Sequence, residues 1–294
     1  MDLFRVFRQF PNHESCIEHL EKVRWGDDPH CPHCNGSKVA RKADGERVGR
    51  WNCHECKSSF NVLSGTIFQQ TKIPLQKWFV AISLVLNAKK SISSCQLARD
   101  LDLNQKSAWY MKMRIREAMV EDSDAFLHGI VEADEAFLAT DGSNPRKNNR
   151  NDDDSPPRGR GTKKLPVIGA VERGGKVIAQ PSPKVTAASL HKFLKQNVDG
   201  DDSVLVTDQL PAYRRMGEWV PHFTINHAVR YVEGLIHTNT IEGFWSLVKR
   251  ALYGQHHHYS KEHAAAYIVE ACYKYNIRRQ PNQFETFIRG AVSV

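Results

Sequence analysis

Apolar residues recur along this chain at two different spacings. Over 72–120 and again over 260–290 the spacing is helical, while between 128 and 253 short apolar runs of strand type alternate with helical stretches. The second region predicts strands over Gly129–Ala139, Leu165–Glu172 and Lys176–Pro181, then a helix over Ala187–Asn197. A strand over Val204–Thr207, a short helix over Pro211–Met216, a strand over Phe223–Asn226 and a helix over Thr240–Tyr253 follow. Gly174-Gly175 marks a hairpin turn between the second and third strands. Residues 1–30 read as a short helical lead-in. The stretch 141–164, DGSNPRKNNRNDDDSPPRGRGTKK, has no hydrophobic period and strand patterns on both sides, so it is expected to be a mobile loop inside a domain.

Three strands in hairpin order, followed by α, β, α, β, α, is the succession of a ribonuclease-H-like fold. In that layout the strand at 130–138 is central and lies beside the strand at 204–207. Asp134, in mid-strand, and Asp208, at a strand end, then become neighbours, and Glu242 reaches them from the first turn of a helix. Carboxylates converging from separate elements suit two-metal phosphoryl transfer, because Mg²⁺ takes oxygen ligands and two ions clamp the attacking and leaving oxygens. Plainer readings exist: Asp208 can close a turn, and Glu242 can complete a capping box with Asn239. Asp134 is harder to dismiss, since a carboxylate amid Val131, Ala133 and Phe137 is costly to bury without a partner. Glu132 and Glu135 flank it and are expected on the opposite face, as second-choice ligands. His237 precedes the Glu242 helix and is read as a solvated or capping histidine, with phosphate contact as the alternative.

Cysteine usage adds a second metal. Cys31-Pro-His-Cys34, 18 residues, then Cys53-His-Glu-Cys56 is zinc-ribbon spacing, with Arg47–Asn52 and Ser59–Val62 as hairpin strands. Four thiolates close a tetrahedral Zn²⁺ shell, so the site is expected to be structural. Of seven cysteines, Cys16, Cys95 and Cys272 remain as free thiols, which fits a reducing compartment. A net charge of +8 on 294 residues points to a polyanionic partner. The start lacks the pattern of a signal peptide, and no run of 18 apolar residues predicts a membrane span. The segment SISSCQLARDLDLNQKSAWYMKMRIREAM has helix-turn-helix length, with a cap among Ser91–Ser94 and a second helix from about Gln105. Lys106, Lys112, Arg114 and Arg116 on that second helix, and Lys249 and Arg250 after Glu242, are the candidate DNA contacts. The basic residues of 141–164 are further candidates.

CPHC…CHEC, FNVLSGTIFQQTKIPLQKWF, VEADEAFL, VLVTDQLPAY, HTNTIEGFWSLVKR and YKYNIRR together resemble the insertion-sequence transposases with an N-terminal zinc ribbon and an ISXO-like DDE domain, relatives of the Merlin elements. The resemblance spans about residues 25–280. It implies a ribonuclease-H-like core, Mg²⁺-dependent DNA cleavage and strand transfer, and action as a homo-oligomer on terminal inverted repeats and target DNA in the cytoplasm. By position, Asp134, Asp208 and Glu242 become the metal-binding acids, with Mg²⁺ or Mn²⁺; Cys31, Cys34, Cys53 and Cys56 become the zinc ligands. Asp134 is expected to bridge two ions and the other acids to complete one each. The expected domains are 1–65 (lead-in and ribbon), 66–122 (helix-turn-helix-like) and 123–294 (ribonuclease-H-like with C-terminal helices). The loop at 141–164 departs from the family in its Asn and Asp content. A reading from another class is a non-catalytic DNA-binding regulator with an inert third domain.

Overall fold

A computed structural model describes residues 1–42, 49–120, 126–139, 164–225 and 237–293. The expected loop at 141–164, apart from Lys164, lies outside the described residues, as do Arg47 and Asn226. In chain order the elements begin α1 (Leu3–Gln9), α2 (His13–Trp25), β1 (Val39–Arg41), β2 (Arg50–Cys53), β3 (Ser59–Asn61), α3 (Leu75–Asn87), α4 (Ser94–Asp100) and α5 (Gln105–Glu117). They continue β4 (Leu127–Leu138), β5 (Leu165–Glu172), β6 (Val177–Pro181), α6 (Ala187–Asn197), β7 (Val198–Asp208), β8 (His222–Ile225), α7 (Asn239–Ala251), α8 (Ala264–Asn276) and α9 (Gln283–Ser293). The chain forms two compact units, Met1–Val120 with Arg279–Val294, and Glu121–Arg278.

In the first unit, β1, β2 and β3 form a small antiparallel sheet. α3 is apolar on nearly every side and is therefore buried all round. Phe79 of α3 meets Phe10 at 4.7 Å and Phe284 of α9 at 5.7 Å. His19 of α2 and Glu285 of α9 lie 3.1 Å apart, and burial of Phe284, Phe287, Ile288, Ala291 and Val292 completes the packing. The last helix thus belongs with the N-terminal unit, which corrects its expected place in a 123–294 domain. An apolar stripe shows that a helix needs cover, not which core supplies it. α4 and α5 pack together, capped by Ser93, within the expected Ser91–Ser94 cap, and by Asn104.

The second unit is built on a five-stranded sheet in the order β6-β5-β4-β7-β8. β4, β5 and β6 are antiparallel neighbours, while β7 and β8 join in parallel. These are the neighbours and directions expected of a ribonuclease-H-like core. Alternation along β4 divides the two faces. Val131 and Ala133 pack with Leu190, Phe193 and Leu194 of α6; Ala136 and Leu138 pack with Ile241, Phe244 and Trp245 of α7 and with Ile268 of α8. Asn276 of α8 accepts from Val177 N at 2.8 Å and donates to Val177 O at 3.1 Å, which occupies polar groups of the edge strand β6. Two details differ from expectation. Two 3₁₀ turns, Pro211–Tyr213 and Met216–Glu218, replace the short helix. β7 starts earlier than Val204 because Val198 pairs with Leu127, which draws the polar run at 199–202 into the strand.

Candidate metal centres

The ribbon knuckles bring Cys31, Cys34, Cys53 and Cys56 together with all four sulfurs within 4.8 Å of one another. Cys31 and Cys56 sulfurs lie 3.7 Å apart, and those of Cys34 and Cys53 3.6 Å. A Zn–S bond of about 2.3 Å gives a tetrahedron edge of about 3.8 Å, whereas a disulfide requires about 2.0 Å. The four cysteines are therefore positioned as a zinc site. Among the described residues they are the group whose ligand atoms are gathered tightly enough to hold an ion as they stand. α2 does more than lead in: its Trp25 meets Trp51 and Phe60 edge-on at 5.8 and 5.9 Å. Glu21 accepts from Trp51 Nε1 at 2.8 Å and pairs with Arg41.

The acids lie at the other unit's sheet. β4 and β7 run in parallel with Glu132 opposite Val206, and two further residues bring Asp134 alongside Asp208. The Asp134 carboxyl is pushed up to about 7. Burial is the largest cause, then the Glu135 charge; the Glu135 backbone works the other way, and the Asp208 and Glu242 charges add to the rise. All three neighbouring carboxylates thus act on Asp134. Asp208 accepts from Leu210 N at 3.0 Å, so one oxygen closes a turn as its plainer reading predicts. Glu242 is exposed, and its Oε1 accepts from the Thr238 hydroxyl at 3.0 Å. The capping box with Asn239 does not form: Thr238 is the cap position of α7 and no side chain makes its local cap bond. Gly169, opposite Asp134 on β5, lets α7 approach; a Cβ there would stand 2.7 Å from the Trp245 ring.

Glu132 and Glu135 part company. Glu135 lies on the opposite face from Asp134, as expected, and accepts from the buried Tyr213 hydroxyl at 3.2 Å. Tyr213 ionises well above its usual range, through burial and then the Glu135, Asp134 and Asp208 charges. Glu132 does not lie opposite: two residues along a strand return to the same face, and its carboxylate points to α7. Arg173, in the β5–β6 turn, was missed from sequence. Its Nε donates to Glu132 Oε1 at 2.6 Å and its Nη2 to the His237 carbonyl at 2.8 Å. His237 Nδ1 lies 3.2 Å from Glu132 Oε1, so it faces the protein rather than standing free.

The basic residues of α5 are also corrected. Lys112 and Arg116 are buried, at 1% and 2% exposure; Lys112 donates to the Ile92 carbonyl, and Arg116 Nη1 lies 3.3 Å from Met113 sulfur. Arg114 donates to Ile67 O at 3.1 Å and Thr66 O at 2.9 Å. Helical spacing of 3.6 turns those side chains inward, which the charge count alone conceals. Lys106 stays exposed at the start of α5. Lys249 and Arg250 are exposed at the end of α7, with Arg250 bonded to Ser246.

Comparison with known proteins gives two family matches: an ISXO2-like transposase domain over residues 126–276 and a transposase zinc-ribbon domain over residues 11–59. An uncharacterized protein in transposable element ISH50 of Halobacterium salinarum is 27% identical over 276 residues, covering 90% of this chain and 91% of its own. Crystal structures of the Mos1 mariner paired end complex with Mn and with Mg are similar over 73% and 75% of this chain and 75% and 80% of theirs. Their identities are 17% and 16%, with TM-scores of 0.30 and 0.29.

Proposed function

The chain belongs to the ISXO2-like transposase family, and from that premise we propose that Asp134, Asp208 and Glu242 form the centre of a DNA-cutting and DNA-joining enzyme. The observation that carries the reading is the parallel β4–β7 register, which brings the half-buried Asp134 at the sheet centre beside Asp208; the charges of Glu135, Asp208 and Glu242 all act on it. An all-oxygen donor set carrying unneutralised negative charge fits Mg²⁺ or Mn²⁺. Two such ions, when bound, supply the positive charge that activates an attacking oxygen and steadies the leaving one on a phosphodiester. The protein's own part is placement. The β4–β7 register sets Asp134 beside Asp208, and the Thr238 hydroxyl orients Glu242. Tyr213 holds Glu135 on the far face.

In the ribbon, Cys31, Cys34, Cys53 and Cys56 hold Zn²⁺ as a folding element, with no open position for chemistry. DNA is bound as terminal inverted repeats and as target, by a homo-oligomer. Lys106, Lys249 and Arg250 supply phosphate contacts; Arg114 contributes only what its carbonyl partners leave free.

The test is cleavage and joining of a labelled element end with Mg²⁺, beside a gel shift on the same preparations. Asp134→Asn, Asp208→Asn and Glu242→Gln should each lower cleavage by more than about 100-fold, beyond the cost of losing a merely supporting group. All three should still shift the DNA. Near-normal cleavage by Glu242→Gln removes it from the centre, and cutting without joining reduces the protein to a nuclease.

A further inference from the structure

The side chain at the cap of α7 is used for something other than capping. Thr238 occupies the position from which a hydroxyl ordinarily accepts from the helix's first free amides. Here that hydroxyl donates to Glu242 Oε1 instead, and the helix has no local side-chain cap. The vacated task falls to Glu132, more than 100 residues earlier in the chain. Its Oε2 accepts from Thr240 N at 2.8 Å and Ile241 N at 3.0 Å, and its Oε1 from the Thr240 hydroxyl at 2.9 Å. A carboxylate against a helix N-terminus is favoured by the helix dipole as well as by the bonds themselves.

The same carboxylate is fully buried and paired with Arg173 Nε at 2.6 Å, with His237 Nδ1 at 3.2 Å. A carboxylate has about four lone-pair sites. Five polar contacts from three segments fill them, so Glu132 has no capacity left to ligate an ion. What it can do is lock the start of α7 to β4 at a point two residues from Asp134. The first turn of α7 carries Glu242, and Arg173 adds a second tie from its turn to the His237 carbonyl just before the helix.

We infer that Glu132 is a positioning residue, which, with Arg173, fixes the distance between Asp134 and Glu242 by acting as the tertiary cap of α7. The inference rests on the reading of Asp134, Asp208 and Glu242 as cation ligands, and gives Glu132 a supporting task in place of a ligand's. Glu132→Gln keeps the volume and leaves one good acceptor oxygen, but removes the charge that holds Arg173 and the helix end together. Helix α7 should then still form, since Phe244, Trp245 and Val248 keep it on the sheet, with its first turn loosened.

The experiment is a double-mutant cycle read by calorimetric titration of Mn²⁺ into zinc-loaded protein without DNA. Glu132→Gln and Glu242→Gln should each weaken Mn²⁺ binding, the former by roughly 10–100-fold, the usual cost of losing a group that orients a ligand. The double variant should bind no worse than Glu242→Gln alone, because a residue acting through Glu242 has nothing left to act on. Cleavage by Glu132→Gln should recover at saturating Mn²⁺, and cleavage by Glu242→Gln should not. Losses that add in the double variant, or unchanged Mn²⁺ binding by Glu132→Gln, overturn the positioning role while leaving the ligand reading intact. Unchanged binding by Glu242→Gln overturns the ligand reading and this inference with it. Should Glu132→Gln not fold, Thr240→Val removes one hydroxyl donor and keeps the ion pair. It should weaken Mn²⁺ binding a few-fold in the parent and not at all in Glu242→Gln; no effect in the parent overturns the inference.

Discussion

The zinc ribbon gathers its four thiols within two short knuckles of one small sheet, whereas the acids come from β4, β7 and α7, with long stretches of chain between them. The ribbon's sulfurs already sit at the spacing of a closed tetrahedron. Burial, and then the charges of the neighbouring carboxylates, make Asp134 reluctant to ionise. One site is a small sheet whose four thiols are positioned for an ion. The other is a strained cluster held by a fold that is complete without it. The difference teaches that side chains gathered by local turns can serve folding, while side chains gathered by sheet register need a core that already holds them. Removing the cation should therefore have opposite consequences in the two places.

The largest effect is expected at the ribbon. Structural zinc in small modules contributes on the order of 10 kcal/mol, and the ribbon's core is little more than Phe60, Trp25, Val39 and Trp51 around the cysteines. Strong chelation, or Cys53→Ser, should abolish the near-ultraviolet signal of Trp25 and Trp51 while the second unit keeps its thermal transition. Persistence of that signal after complete chelation would show that the ribbon folds without metal.

The acid cluster should respond the other way. The Asp134 carboxyl titrates at about 7 when folded against a reference value of 3.8. Between those values the folded chain binds more protons than the unfolded one, so stability falls as pH rises, and the whole penalty is present above about 7. Asp134→Asn carries no such penalty. Metal-free Asp134→Asn should exceed the parent by about 2–4 kcal/mol at pH 8, and the two should converge near pH 4. Denaturant unfolding at both pH values checks this; an equal difference at both would place the effect outside the titration. Saturating Mg²⁺ should erase the advantage at pH 8.

Smaller effects test how the helix reaches the sheet. Gly169→Ala sets a methyl against the Trp245 ring beside Asp134. It should cost about 1–3 kcal/mol by overpacking and lower cleavage at a fixed Mg²⁺ concentration. Unchanged melting would mean that Trp245 moves aside freely. The smallest contrast lies within α5. Lys106→Ala should weaken binding of an element end a few-fold, more at low salt than at high. Lys112→Ala should lower the melting temperature of the first unit, because its ammonium is buried against the Ile92 carbonyl.

The sequence by itself determined most of the elements and the ribbon's cysteine pairs, but not the strand Val39–Arg41 or the two 3₁₀ turns at 211–218. Two CxxC pairs carry their own geometry, because each knuckle is a local turn, and the helix Ala187–Asn197 is legible because its caps and apolar period are local too. The succession of strands and helices was enough to place β4 beside β7 and so Asp134 beside Asp208. Tertiary structure alone decided the rest. Charge on α5 did not disclose that Lys112 and Arg116 turn inward, since burial depends on what the neighbouring segments offer. α9 carried an apolar stripe without an address, and only packing on α2 and α3 gave it one. Glu132 looked like a spare ligand until a helix more than 100 residues away presented its free amides to it. Local preferences act over a few residues, whereas hydrogen-bond satisfaction is settled across the whole fold, and the partner of a buried charge is read only from the assembled chain.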